Sequence, residues 1–123
     1  MVSFERFTME DGSPIYQQIV LYLKREAVAG RVMDGDELPS RRVLSALLGV
    51  NPNTVQKSYR ILEEEGLIQS HSGAKSYMVL SGQKLSRVTA ELLESEAKAA
   101  VRTLKQMGIS KEEAMALFSR YWE

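Results

Sequence analysis

The stretch that decides the fold is Leu38 to Leu67, LPSRRVLSALLGVNPNTVQKSYRILEEEGL. It divides into two short helices joined by a tight turn. Ser40 is placed as the N-cap of the first helix and Gly49 as its stop. Val43, Leu44, Leu47 and Leu48 fall on one apolar face of that helix. Asn51-Pro52 opens the second helix, a capping residue followed by proline at the first helical position. This second helix buries Val55, Tyr59 and Leu62, and Gly66 stops it after Glu63-Glu64-Glu65. Its opposite face carries Asn53, Gln56, Lys57 and Arg60. Amides that pair with adenine, beside cations that reach guanine or phosphate, suit insertion into a DNA major groove.

Charge supports that reading through its distribution. The chain of 123 residues has 16 basic and 16 acidic groups, so its net charge is zero. Between Ser40 and Leu62, however, there are four basic residues (Arg41, Arg42, Lys57 and Arg60) and no Asp or Glu. A protein held to nucleic acid by nonspecific charge alone would be more basic throughout, so selective contacts at one face are expected. Basic residues at a helix N-terminus oppose the helix dipole, which leaves Arg41 and Arg42 without a purely structural reason to be there.

Working outward, residues 1–13 read as an irregular arm. Ser13-Pro14 is a helix start, and Ile15, Ile19, Leu23 and Ala27 recur every four residues up to a stop at Gly30. Met33-Asp34-Gly35-Asp36 reads as a turn and Leu38-Pro39 as an extended lead-in. On the other side, Leu67–Ser70 and Tyr77–Leu80 read as two short strands around a loop at His71–Lys75. Ser81-Gly82 is a short hinge. A long helix follows over residues 84–107, about 36 Å in length, with Leu85, Val88, Leu92, Ala99 or Ala100, Leu104 and Met107 in one stripe and Leu93, Ala97 and Val101 widening it. After Gly108, Ser110 with Glu113 forms a capping box for a last helix that aligns Ala114, Leu117, Phe118 and Tyr121 beside Met115 and Trp122.

The expected architecture is mainly α with a small β wing: a winged helix-turn-helix followed by a two-helix C-terminal dimerisation tail. The expected division is residues 1–82 for the DNA-binding domain with its arm, and 83–123 for the tail. The tail is too small for a core of its own, so its stripes need a partner, and a second copy of the chain is the simplest. Leu85, Val88, Leu92, Leu104, Leu117, Phe118, Tyr121 and Trp122 are the candidate dimer contacts.

Other function classes find little support. There are no cysteines, so neither a disulfide nor a thiolate metal site is available. His71 is the single histidine and reads as a loop residue. The Glu63–Glu65 run reads as a solvated helix end, and no GxSxG, P-loop or HExxH pattern occurs. No catalytic residue, metal ligand or cofactor is expected, and no enzyme activity. No signal peptide or membrane span is evident, which fits a cytoplasmic protein. The rival to a DNA-binding reading is a winged helix reused as a protein-interaction module. That rival predicts acids or apolar residues over the outer helix face, and Ser40–Leu62 has neither.

Residues 10–80 closely resemble the N-terminal domain of GntR-type bacterial transcription regulators. The resemblance rests on SPIYQQI, on the GD-LPS-R pattern from Gly35 to Arg42, on LGVNPNTVQKSY and on LEEEGLI, in that order along the chain. The short helical tail is similar to the YtrA-like branch of that family. The resemblance implies a homodimer that binds a palindromic double-stranded DNA operator and usually represses. It places Arg42 near base edges or phosphate, Ser40 and Arg41 at phosphate contacts, Asn53, Thr54, Gln56 and Lys57 on the recognition helix, and Gly73 at the wing tip; Lys75 is a further candidate DNA contact. Two departures stand out. The wing lacks the second glycine of Gly-x-Gly, having Ala74 and Lys75 instead, and Pro52 sits where many members carry a basic residue. An unidentified small-molecule effector is expected, if one binds, between two subunits or near Ser81-Gly82; control by abundance alone fits equally well.

Overall fold

The computed structural model describes residues 1–71 and 75–123 and divides them into two compact units, Met1–Thr89 and Ala90–Glu123. The first unit holds α1 (Ile15–Val28), β1 (Glu37–Leu38), α2 (Arg41–Leu48), α3 (Pro52–Glu64), β2 (Ile68–Ser70), β3 (Ser76–Met78) and the first turns of α4 (Lys84–Gln106). The second holds the rest of α4 and α5 (Lys111–Tyr121). The first unit therefore extends seven residues past the boundary expected at Gly82.

The three-helix core forms because the apolar positions recur at helical spacing. Ile19, Leu23 and Ala27 of α1, Leu44 of α2, and Val55, Tyr59 and Leu62 of α3 are all buried against one another. β3 lies at the centre of a three-stranded antiparallel sheet, paired with β1 through Glu37–Tyr77 and with β2 through Ile68–Met78. The segment expected only as an extended lead-in is thus a third strand. The turn before it is stitched to the sheet. The Gly35 amide donates to the Met78 carbonyl, and the Leu80 amide donates to the Asp34 carboxylate at 2.9 Å.

Helix ends follow the punctuation of the sequence. The Ser40 hydroxyl accepts from the Val43 amide at 3.1 Å, the Asn51 side chain accepts from the Asn53 amide at 2.8 Å, and Ser110 with Glu113 completes a capping box. Gly49 closes α2 at φ 67°, a left-handed conformation that costs a residue with a Cβ more than it costs glycine. At α1 the expected Ser13 cap is replaced. Pro14 stands at the cap position with no side-chain bond, and the Gln18 side chain accepts from the Glu10 amide and donates to the Glu10 and Ser13 carbonyls.

Three other expectations change. On α2, Val43 is 56% and Leu47 65% exposed, while Ser45 is buried with its hydroxyl donating to the Val50 carbonyl at 2.6 Å. An eight-residue helix has only a narrow inward face, and here Leu44 and Ser45 supply it. The N-terminal arm carries no helix or strand, as expected of an irregular segment, yet it is anchored. Val2 and Phe4 are buried, the Val2 amide donates to the Glu37 carbonyl, and Phe4 packs on Tyr22 with centroids 5.0 Å apart. Val88, expected as a dimer contact, is 4% exposed and belongs to the core of the first unit.

The start of α4 also closes α3. The Lys84 ammonium donates to the Gly66 carbonyl at 2.8 Å, beside the Lys24–Glu65 ion pair at the same distance from α1. These cations lie at the C-terminal end of α3, where the helix dipole favours them.

Candidate nucleic-acid interface

The site is assembled from the N-terminal turn of α2 and the outward face of α3. Packing of α3 on α1 and α2 fixes which face turns outward: Val55, Ser58, Tyr59 and Leu62 point in, so Asn53, Gln56, Lys57 and Arg60 point out. All four are exposed, and Thr54 beside them is half-buried. Neither α2 nor α3 has an acidic residue in its first turn. Two helix N-termini with unopposed partial positive charge, flanked by arginine and lysine, are attractive to phosphate.

The basic side chains differ in how they are held. Arg42 is exposed. Arg41 is half-buried, with its guanidinium carbon 5.3 Å from the centre of the Tyr59 ring. Its buried Nε finds no hydrogen-bond partner among the described residues. Tyr59 in turn is fully buried and donates its hydroxyl to the Pro39 carbonyl at 2.7 Å. Burial pushes the Tyr59 phenol above the ordinary tyrosine value, with the positive charge of Arg41 opposing the shift. Lys57 stands over the ring of Tyr16, its ammonium 3.9 Å from the centroid. The Ser40 hydroxyl is already occupied as a helix cap, so it positions α2 as well as facing the site.

Of the wing residues, Lys75 is exposed, and its carbonyl accepts from the His71 amide at 2.9 Å. Gly73 lies outside the described residues. His71 packs edge-on against Tyr77, as a loop residue at the base of the wing. Among the described residues no group of acids and histidine is arranged to hold a metal ion, and no helix is long and apolar enough to cross a membrane. The sequence pattern does not mark Tyr16 or Tyr59 as part of this face. Tyr59 gave the signal of a core residue, which it is, and Tyr16 comes beside Lys57 only through the packing of α1 on α3.

Residues 15–77 match the bacterial regulatory proteins of the gntR family. The chain belongs to the GntR family. It is 42% identical over 66 residues to the HTH-type transcriptional repressor YtrA of Bacillus subtilis, covering 54% of this chain and 51% of that protein. It is 27% identical over 106 residues to the transcriptional regulator YhcF of the same organism, covering 86% of this chain and 88% of that one. Among solved structures, a GntR family transcriptional regulator from Listeria monocytogenes superposes with a TM-score of 0.80 at 31% identity, over 91% of this chain and 98% of that one. The protein is accordingly a DNA-binding transcription regulator of the GntR family, YtrA-like in type.

Proposed function

We propose that this GntR regulator is a homodimer that represses by occupying a two-fold symmetric operator. The observation that carries the dimer is the uncovered apolar surface of the tail. Tyr121 is 73% and Trp122 84% exposed, and Leu93, Val101, Met115 and Phe118 are exposed with them. Among the described residues α4 and α5 make no extended contact, so neither covers the other. A groove of about 590 Å³ along α4, lined by Ala97, Lys98, Val101, Arg102, Lys105 and Gln106, has a basic rim. The first turn of α5 carries Glu112 and Glu113, which complement that rim from a second copy. Covering one large aromatic contributes about 1.5–3 kcal/mol. Leu85, Leu92, Leu104 and Leu117 are the further tail contacts in this reading; Val88 is not.

In each half of the dimer, Arg41 and Arg42 lie over phosphate, Asn53, Gln56 and Lys57 reach base edges, and Thr54, Arg60 and Lys75 flank them. Ser40 contributes through the cap it forms. Two-fold symmetry of the protein then demands two related half-sites in the DNA. Sedimentation of the full chain, alone and with Phe118→Glu and Trp122→Glu together, tests the dimer. The wild type is expected to be dimeric at micromolar concentration and the variant monomeric. A wild type that is monomeric yet binds its operator tightly removes the tail from this role.

A further inference from the structure

We propose that Tyr16 is a positioning residue for DNA recognition, acting through its ring to hold Lys57 in the orientation it uses on DNA. This rests on the reading of α3 as the recognition helix. Tyr16 lies in the first turn of α1, 41 residues before Lys57, and its half-buried ring forms a platform under the Lys57 ammonium at 3.9 Å. The platform itself is fixed. The buried Ser58 hydroxyl lies 3.2 Å from the Tyr16 carbonyl and 2.9 Å from that of Thr54, tying the first turn of α1 to α3. The Gln17 side-chain Nε2 donates to the Tyr16 hydroxyl at 3.2 Å.

A lysine side chain free in solvent samples many rotamers, and ordering it on binding costs free energy. Over an aromatic face the ammonium is attracted by the ring quadrupole and its stem is restrained. The ring occupies one side of the cation only. Lys57 remains exposed, so its other N–H groups stay available to a phosphate or a base edge. Arg41 over Tyr59 shows the same arrangement on α2. Two of the four cations between Ser40 and Leu62 are thus held by tyrosine rings before DNA arrives. Tyr59 is a core residue whose loss disturbs the fold, whereas Tyr16 is half-buried at a helix start and can be varied.

The ring, not the hydroxyl, is the working part, which separates this role from a direct hydrogen bond between Tyr16 and DNA. The test uses the full chain and the duplex it enriches best from a random double-stranded library. Affinity is measured for the wild type, Tyr16→Phe, Tyr16→Leu, Lys57→Ala and the Tyr16→Leu/Lys57→Ala double variant. Tyr16→Phe is expected to bind as the wild type does. Tyr16→Leu is expected to bind about two- to fivefold more weakly, and to have no further effect once Lys57 is alanine. In the free protein, the Lys57 ε-methylene protons should show an upfield ring-current shift in NMR spectra, kept in Tyr16→Phe and lost in Tyr16→Leu. Equal weakening by Tyr16→Phe and Tyr16→Leu, or an undiminished effect of Tyr16→Leu on the Lys57→Ala background, overturns the proposal while leaving the interface in place. Absence of the ring-current shift overturns it without reference to DNA. If the wild type enriches no duplex at all, the reading of α3 as recognition helix falls, and this role for Tyr16 with it.

Discussion

At the residue scale, the cations of the interface divide into held and free ones, and the division predicts different behaviour. Arg42 is exposed near the N-terminus of α2, where we propose a phosphate contact. Arg42→Ala is expected to weaken binding to every duplex alike and to lower the slope of log affinity against log salt by about one. Lys57 points from the middle of α3, beside Gln56. Lys57→Ala is expected to cost about 1–3 kcal/mol on the preferred duplex and to relax specificity at one base position. Titrations at several salt concentrations, on preferred and scrambled duplexes, separate the two outcomes; unchanged affinity in both variants contradicts the assignment. The outward placement of Asn53, Gln56, Lys57 and Arg60 was legible in the sequence because helical spacing separates an apolar from a polar face. Their tyrosine supports were not, since cation and ring come from positions whose closeness only the packing reveals.

Tyr59 adds a dependence on pH. Its phenol is shifted upward by burial, so the folded chain keeps its proton at a pH where the unfolded chain, near the ordinary value of about 10, has begun to lose it. The contribution is therefore fully present below about pH 10 and is lost as pH rises above it. Urea unfolding of the wild type and of Tyr59→Phe should show a gap between the two stabilities that is constant from pH 7 to 9 and narrows at higher pH. At neutral pH the variant should be less stable by about 1–3 kcal/mol, because the Pro39 carbonyl loses its donor in the interior. A gap that does not narrow above pH 10 contradicts the account of Tyr59.

At the scale of elements, caps and packing decide where α3, the proposed recognition helix, points. The Ser40 cap and the left-handed Gly49 bound α2, and Asn51-Pro52 starts α3 directly after the turn. Ser40→Ala is expected to destabilise the fold by about 1 kcal/mol, measured by thermal or urea unfolding. These boundaries could be read in the sequence because capping is local chemistry. The inward face of α2 could not. Val43 and Leu47 look like core partners by spacing, yet the buried side chains are Leu44 and Ser45. The join with the tail was equally hidden. A glycine hinge suggested a boundary at Gly82, but Val88 fills the core and Lys84 closes α3 by bonding the Gly66 carbonyl. In the full chain, Val88→Ala is expected to lower stability by about 0.5–2 kcal/mol while leaving sedimentation of the assembly unchanged. Dissociation of a dimer by Val88→Ala without loss of stability would return this residue to the interface.

At the scale of the whole molecule, net charge is zero and the working charge is local. That arrangement favours selective contact over general attraction to nucleic acid. The family and the winged-helix architecture were legible because motifs occurred in order at the right distances, each with a mechanical reason to be where it is. Whether the face of α2 and α3 meets DNA is decided by mapping the protein surface that changes when DNA binds. The enriched duplex is titrated into the isotopically labelled full chain, and backbone amide shifts are followed residue by residue. The large changes are expected on Ser40–Val43, on Asn53–Arg60 and at Lys75, with α5 little affected. Large changes confined to the tail or the N-terminal arm, with Asn53, Gln56 and Lys57 unmoved at saturation, would contradict this expectation.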